Sequence, residues 1–176
     1  MKVKLSLLVF ISSLILVAIT LFLSMDEEIL PLAEDAKIDR VVVEKSQRLL
    51  HVYSSDFLLK TYRIALGFNP IGHKEEEGDG KTPEGLYHIN SKNPRSAYHL
   101  NLGVSYPNPR DLQHAQSLGK SPGGDVKIHG LKNGLGFIGS AHRQLDWTAG
   151  CIAVTNDEME ELYRSVPVGT SIEIRP

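Results

Sequence analysis

Residues 5 to 23, LSLLVFISSLILVAITLFL, form an unbroken run without a single charged side chain. As a helix rising about 1.5 Å per residue, such a run covers roughly the 30 Å of a bilayer's hydrocarbon core. A cleaved leader has a shorter apolar region that ends in a small-x-small site, and LFLSMDEE offers none. The sequence therefore predicts an N-terminal transmembrane anchor over residues 1–24, with an exported protein's signal segment as the alternative. Lys2 and Lys4 precede the run, and Asp26, Glu27 and Glu28 follow it. The positive-inside rule then leaves the short tail in the cytoplasm and places the remainder outside. An acidic stretch with one proline, residues 25–37, reads as a tether, and residues 38–176 suffice for one domain with its own core.

The charges nearly balance, with 19 Lys and Arg against 21 Asp and Glu, so no basic field invites nucleic acid. Strand-like runs dominate the domain. IDRVVVEK, RLLHVY and FLLKTYRIAL, starting at Ile38, Arg48 and Phe57, read as a β-meander. EGLYHI, YHLNLGVSY, VKIHG and SIEIR add further strands. Two helix starts carry capping signals: Asn108 with Pro109, and Thr155 with Glu158 three residues later. The expected fold class is mainly β with short helices.

The chain has one cysteine, Cys151, in the stretch DWTAGCIAV. In an oxidising compartment it has no partner for an intrachain disulfide, so it is either buried and inert or used. An unperturbed thiol is only a few per cent thiolate near neutrality, and a nearby imidazole is the usual means of activating it. Of seven histidines, His51 is expected in an edge or surface strand, His73 in an acidic loop and His114 on the solvent face of a helix. His129, ending an apolar strand and followed by Gly130, is the preferred base, with His142 as the alternative. Gly150 gives the backbone freedom that a turn presenting a nucleophile and aiming N–H groups at an oxyanion would need.

His129-Gly130, then a loop with Gly134, Gly136 and Gly139, then Thr148-Ala149-Gly150-Cys151-Ile152 resembles the signature of the YkuD-type L,D-transpeptidases. GDGKTPEGLYHI, YPNPRD, PGGDVKIHG and the closing VGTSIEI resemble further segments of that family in the same order, over nearly the whole domain. The resemblance implies an L,D-transpeptidase-type β-sandwich without cofactor or metal. It implies Cys151 as nucleophile, His129 as the acceptor of its proton, and backbone N–H groups of Ala149, Gly150 and Cys151 as the oxyanion hole. The substrate it implies is a peptidoglycan stem peptide, attacked at the diaminopimelate carbonyl with release of D-alanine; a second stem or water then takes the acyl group. A hydrolase that frees a group or a wall-linked protein from diaminopimelate, and a non-catalytic wall-binding module, are the alternatives. The location implied is the bacterial cell envelope, with the domain in the periplasm.

Two positions depart from the family pattern: Ala149 stands where His precedes Gly-Cys, and Ala153 where many members carry Arg. The second change removes a cation that would hold a substrate carboxylate. Candidates for substrate contact are Gly130, His142, Asp146, Trp147, Thr148, Lys81 and Tyr106, with Lys74 beside Lys81 in the same loop. Gly78 to Thr82, GDGKT, looks like a phosphate loop, but Glu75 occupies the required first glycine position and Pro83 follows. A zinc site from His129, His142 and Cys151 lacks the usual short ligand pairs.

Overall fold

The computed structural model describes residues 31–176. The apolar run 5–23, with the anchor and orientation expected of it, lies outside the described residues. Among those described, no helix is long and apolar enough to cross a membrane.

Eight strands, β1 (Arg40–Glu44), β2 (Leu49–Ser54), β3 (Phe57–Arg63), β4 (Gly85–Ser96), β5 (His99–Val104), β6 (Lys127–His129), β7 (Ile152–Ala153) and β8 (Ser171–Arg175), carry the fold. Among the described residues, two α-helices, α1 (Pro109–Ser117) and α2 (Asn156–Ser165), and a 3-10 segment, Gly136–Gln144, accompany them. The expected meander forms as antiparallel β1–β2 and β2–β3 pairs. His51 is therefore on an inner strand rather than an edge, and its Nδ1 meets Thr61 Oγ1 at 2.8 Å on the neighbouring strand.

The expected mainly β domain takes the form of a single curled sheet. All eight strands join in one sheet, in the order β3-β2-β1-β8-β4-β5-β6-β7. The cause is β4, whose residues Gly85 to His88 pair with β8 while Ile89 to Ser96 pair with β5. Register shifts after Ile89 and after Asn93 bend it between its two partners. Only its apolar half, GLYHI, reads as strand from sequence; the polar half pairs without burying a face.

Alternate side chains fill the core: Val41 and Val43 on β1, Leu50 and Val52 on β2, and Ile172 and Ile174 on β8 are all fully or almost fully buried. Each such aliphatic side chain contributes about 1.5–3 kcal/mol of burial free energy. Met159, Leu162 and Val166 give α2 an apolar stripe at helical spacing, packed on β5. Both helices start as the sequence implies. Asn108 forms a capping box with Asp111 ahead of α1, and Thr155 one with Glu158 ahead of α2. The compact unit begins at Leu32, inside the stretch read as tether, and Leu32 itself is buried in the core.

A loop from Gly67 to Glu84 is tied down by Lys45, which is buried. Its Nζ donates to Gly72 O at 2.6 Å, Thr82 O at 2.8 Å and Glu84 Oε1 at 2.8 Å. This loop is the floor on which the cysteine turn rests.

Candidate active site

Parallel pairing of β6 with β7 sets Ile128 beside Ile152 and His129 beside Ala153. Residues two apart on a strand share a face, so Cys151, two before Ala153, is carried to the side of the sheet that bears His129. Both side chains line one cavity of about 510 Å³. The His129 imidazole is buried, and its Nδ1 lies 2.7 Å from Gly130 O. A carbonyl only accepts, so Nδ1 carries the hydrogen and Nε2 keeps its lone pair. The Cys151 thiol is half-buried and donates to Asp125 O at 3.7 Å; no hydrogen bond joins sulfur to imidazole.

Burial pulls the His129 imidazole below its ordinary range, against the raising effect of its bond to Gly130. Burial likewise pushes the Cys151 thiol up, opposed by a backbone contact and the charge of Lys127. Both directions favour a neutral thiol beside a neutral imidazole over a preformed ion pair. A neutral thiol of this kind would give up its proton only in the course of any attack on a carbonyl.

The turn before the cysteine is built from its own side chains. Thr148 Oγ1 donates to Cys151 O at 2.7 Å and accepts from Gly150 N at 3.1 Å. Thr148 N donates to Leu66 O, and Phe68 N to Thr148 O, which docks the turn on the loop from Gly67. Gly150 adopts φ 129°, and a Cβ there would lie 2.6 Å from Lys81 O. Only glycine fits this close backbone approach. Of the three amides expected to face an oxyanion, that of Gly150 is thus committed to Thr148, whereas Ala149 is exposed at the cavity wall.

Trp147 and Thr148 line the cavity with Cys151 and His129. Gly130 serves through its carbonyl, and a Cβ on it would meet Asn156 Oδ1 at 2.8 Å. Asp146 is not among the lining residues; its carboxylate accepts from Leu66 N at 2.9 Å and from Arg48 Nη2 at 2.8 Å. Lys81 reaches Glu75 at 3.4 Å, and Lys74 is buried against Asp79 at 2.7 Å. Tyr106 is buried, with its hydroxyl on Pro122 O at 3.0 Å. His142 lines a second, apolar cavity of about 490 Å³ beside the 3-10 segment, and accepts from Trp147 Nε1 at 3.3 Å. Tyr98 and Trp147 are shared by both cavities, with their rings stacked 6.1 Å apart.

Several cavity residues escaped sequence reasoning: Tyr98, whose ring lies 4.8 Å from that of His129, together with Arg95, Asp125 and Lys127. Only Asn93-Pro94 hints at the turn that brings Arg95 and Tyr98 there; the rest are ordinary strand and loop residues.

A thiol and an imidazole of fixed tautomer beside a glycine-dependent backbone turn make a site equipped for acyl transfer through sulfur. Residues 38–174 match the model of the L,D-transpeptidase catalytic domain, YkuD, and the chain belongs to that family. YafK of Escherichia coli strain K12 is 27% identical over 132 residues, which are 72% of this chain and 46% of that protein. The helical cell shape determining protein Pgp2 from Campylobacter jejuni superposes with a TM-score of 0.59 at 29% identity, over 85% of this chain and 51% of that one. Bd1075 of Bdellovibrio bacteriovorus shares the fold, with a TM-score of 0.54 at 24% identity over 82% of this chain and 50% of that one. The chain spans about half the length of these relatives.

Proposed function

We propose that the protein is a cysteine-dependent L,D-transpeptidase of the cell envelope that acts on peptidoglycan stem peptides. The observation that carries this reading is the shared cavity of Cys151 and His129, with Nδ1 of the imidazole tied to Gly130 O and Nε2 left to accept a proton. Cys151 Sγ attacks the diaminopimelate carbonyl as its proton passes to His129, and the N–H groups at Ala149 and Cys151 receive the oxyanion. Collapse breaks the amide; His129 returns the proton to the departing D-alanine amine and leaves a thioester. An amine of a second stem then takes the acyl group. One good oxyanion donor lowers such a barrier by about 3 kcal/mol. The bond energy of the donor drives the exchange, which suits an extracytoplasmic site without nucleotide.

The full chain incubated with a disaccharide-tetrapeptide tests this, with Cys151→Ala as control. An acyl adduct on Cys151 and released D-alanine are expected, followed by cross-linked dimers. Tripeptides in place of dimers would assign hydrolysis, and neither adduct nor product would overturn the enzymatic reading.

A further inference from the structure

Among the described residues, one charge lining the cavity of Cys151 and His129 is left without a partner. Lys127 and Asp125, both lining it, pair with each other at 2.6 Å. Arg95 lines it too, and among the described residues its guanidinium has neither ion pair nor hydrogen bond; only its backbone N–H is engaged, by Asn93 Oδ1 at 2.8 Å. The support under Arg95 is firm. Tyr98 N donates to Ser96 Oγ at 2.9 Å, Asn133 Nδ2 to Ser96 O at 3.0 Å, Asn133 N to Ala97 O at 3.0 Å and His99 N to Asn133 Oδ1 at 2.9 Å. The β4–β5 tip is thereby pinned from both sides.

A guanidinium on a rigid support at the wall of the cavity that also holds the Cys151 thiol is arranged to grip a carboxylate with two parallel hydrogen bonds at little ordering cost. The strand that follows the cysteine, Ile152–Ala153, has no such group; both of its side chains are apolar and fully buried. We propose that Arg95 receives a free carboxylate of the donor peptide, beside the amide that Cys151 attacks, and so selects carboxylate-bearing donors over amidated ones. This rests on the peptidoglycan reading above. Two donor carboxylates flank that amide, one on the leaving D-alanine and one on the diaminopimelate side chain.

Three donors separate them: the disaccharide-tetrapeptide, its C-terminal carboxamide and its diaminopimelate carboxamide. Binding to the full-length Cys151→Ala protein is measured by calorimetry, with turnover by the Cys151 protein alongside. One of the two carboxamides is expected to bind about 10- to 100-fold more weakly than the acid, the range for a hydrogen-bonded charge. Which one does so names the carboxylate. In an Arg95→Ala background the three donors should bind alike, and Arg95→Lys should restore part of the discrimination, since it keeps the charge without the fork. Arg95→Ala weakening acid and amide equally would assign Arg95 to holding the tip and overturn the inference, as would no change or no donor binding. Discrimination in binding without turnover would leave Arg95 in place and remove the transpeptidase reading; turnover without discrimination would do the reverse.

Discussion

His142 accepts the Trp147 indole hydrogen at Nδ1, so the neutral ring carries its own hydrogen on Nε2. That Nε2 is buried without a partner among the described residues. Burial, reinforced by the Arg143 cation and opposed by Glu158, brings the imidazole down to about 4. Unfolded, it titrates near 6.5. Between these values the unfolded chain binds a proton that the native chain refuses, so this stability is present above about pH 6.5 and lost as pH falls towards 4. From pH 7 to pH 5 the loss amounts to about 2 kcal/mol. Denaturant midpoints at both values should show that drop in the native protein and much less of it in His142→Phe; equal drops would refute the assignment. His129, also depressed by burial, adds to the loss in the same direction.

The cysteine turn is the element on which the proposed chemistry rests, and Thr148 holds it closed by donating to Cys151 O and accepting from Gly150 N. Thr148→Val keeps the shape and removes both bonds. It should cost about 1–3 kcal/mol, because two buried polar groups lose their partners, and should slow acyl-adduct formation at Cys151, whereas Thr148→Ser preserves both properties. An adduct rate in Thr148→Val equal to that of the native protein would show that the turn is held by its docking on Leu66 and Phe68 alone. Elements with local signals were readable beforehand. The capping boxes of α1 and α2, the continuous valine run of β1 and the alternating apolar strands β2 and β8 announce themselves through nearest-neighbour chemistry. The polar half of β4 and the 3-10 segment Gly136–Gln144 carry no such signal, since neither presents a periodic apolar face.

Over the whole molecule, β8 is the joint. It runs parallel to β1 and antiparallel to β4, so the last strand of the chain links the N-terminal meander to the half that carries the site. Lys45 bridges the same two regions, from the end of β1 to Thr82 and Glu84 ahead of β4. Removing Ser171–Pro176 would strip Ile172 and Ile174 from the core and expose the backbone edges of both neighbours. The shortened protein should lose cooperative unfolding and dispersed amide signals throughout, His129 and Cys151 included. A truncated protein with native amide spectra around the cysteine would show that the half carrying Cys151 stands alone.

The mainly β character and the helix starts were legible along the chain, in period and caps, and motif order singled out Cys151 and His129, which line one cavity. Tertiary structure alone decided the rest. Asp146 went to Arg48 and Leu66, and Lys74 to Asp79, because a buried charge must find its partner in space. Arg95 reached the cavity because a bent β4 folds its polar end over β5, a placement set by strand register and invisible to spacing.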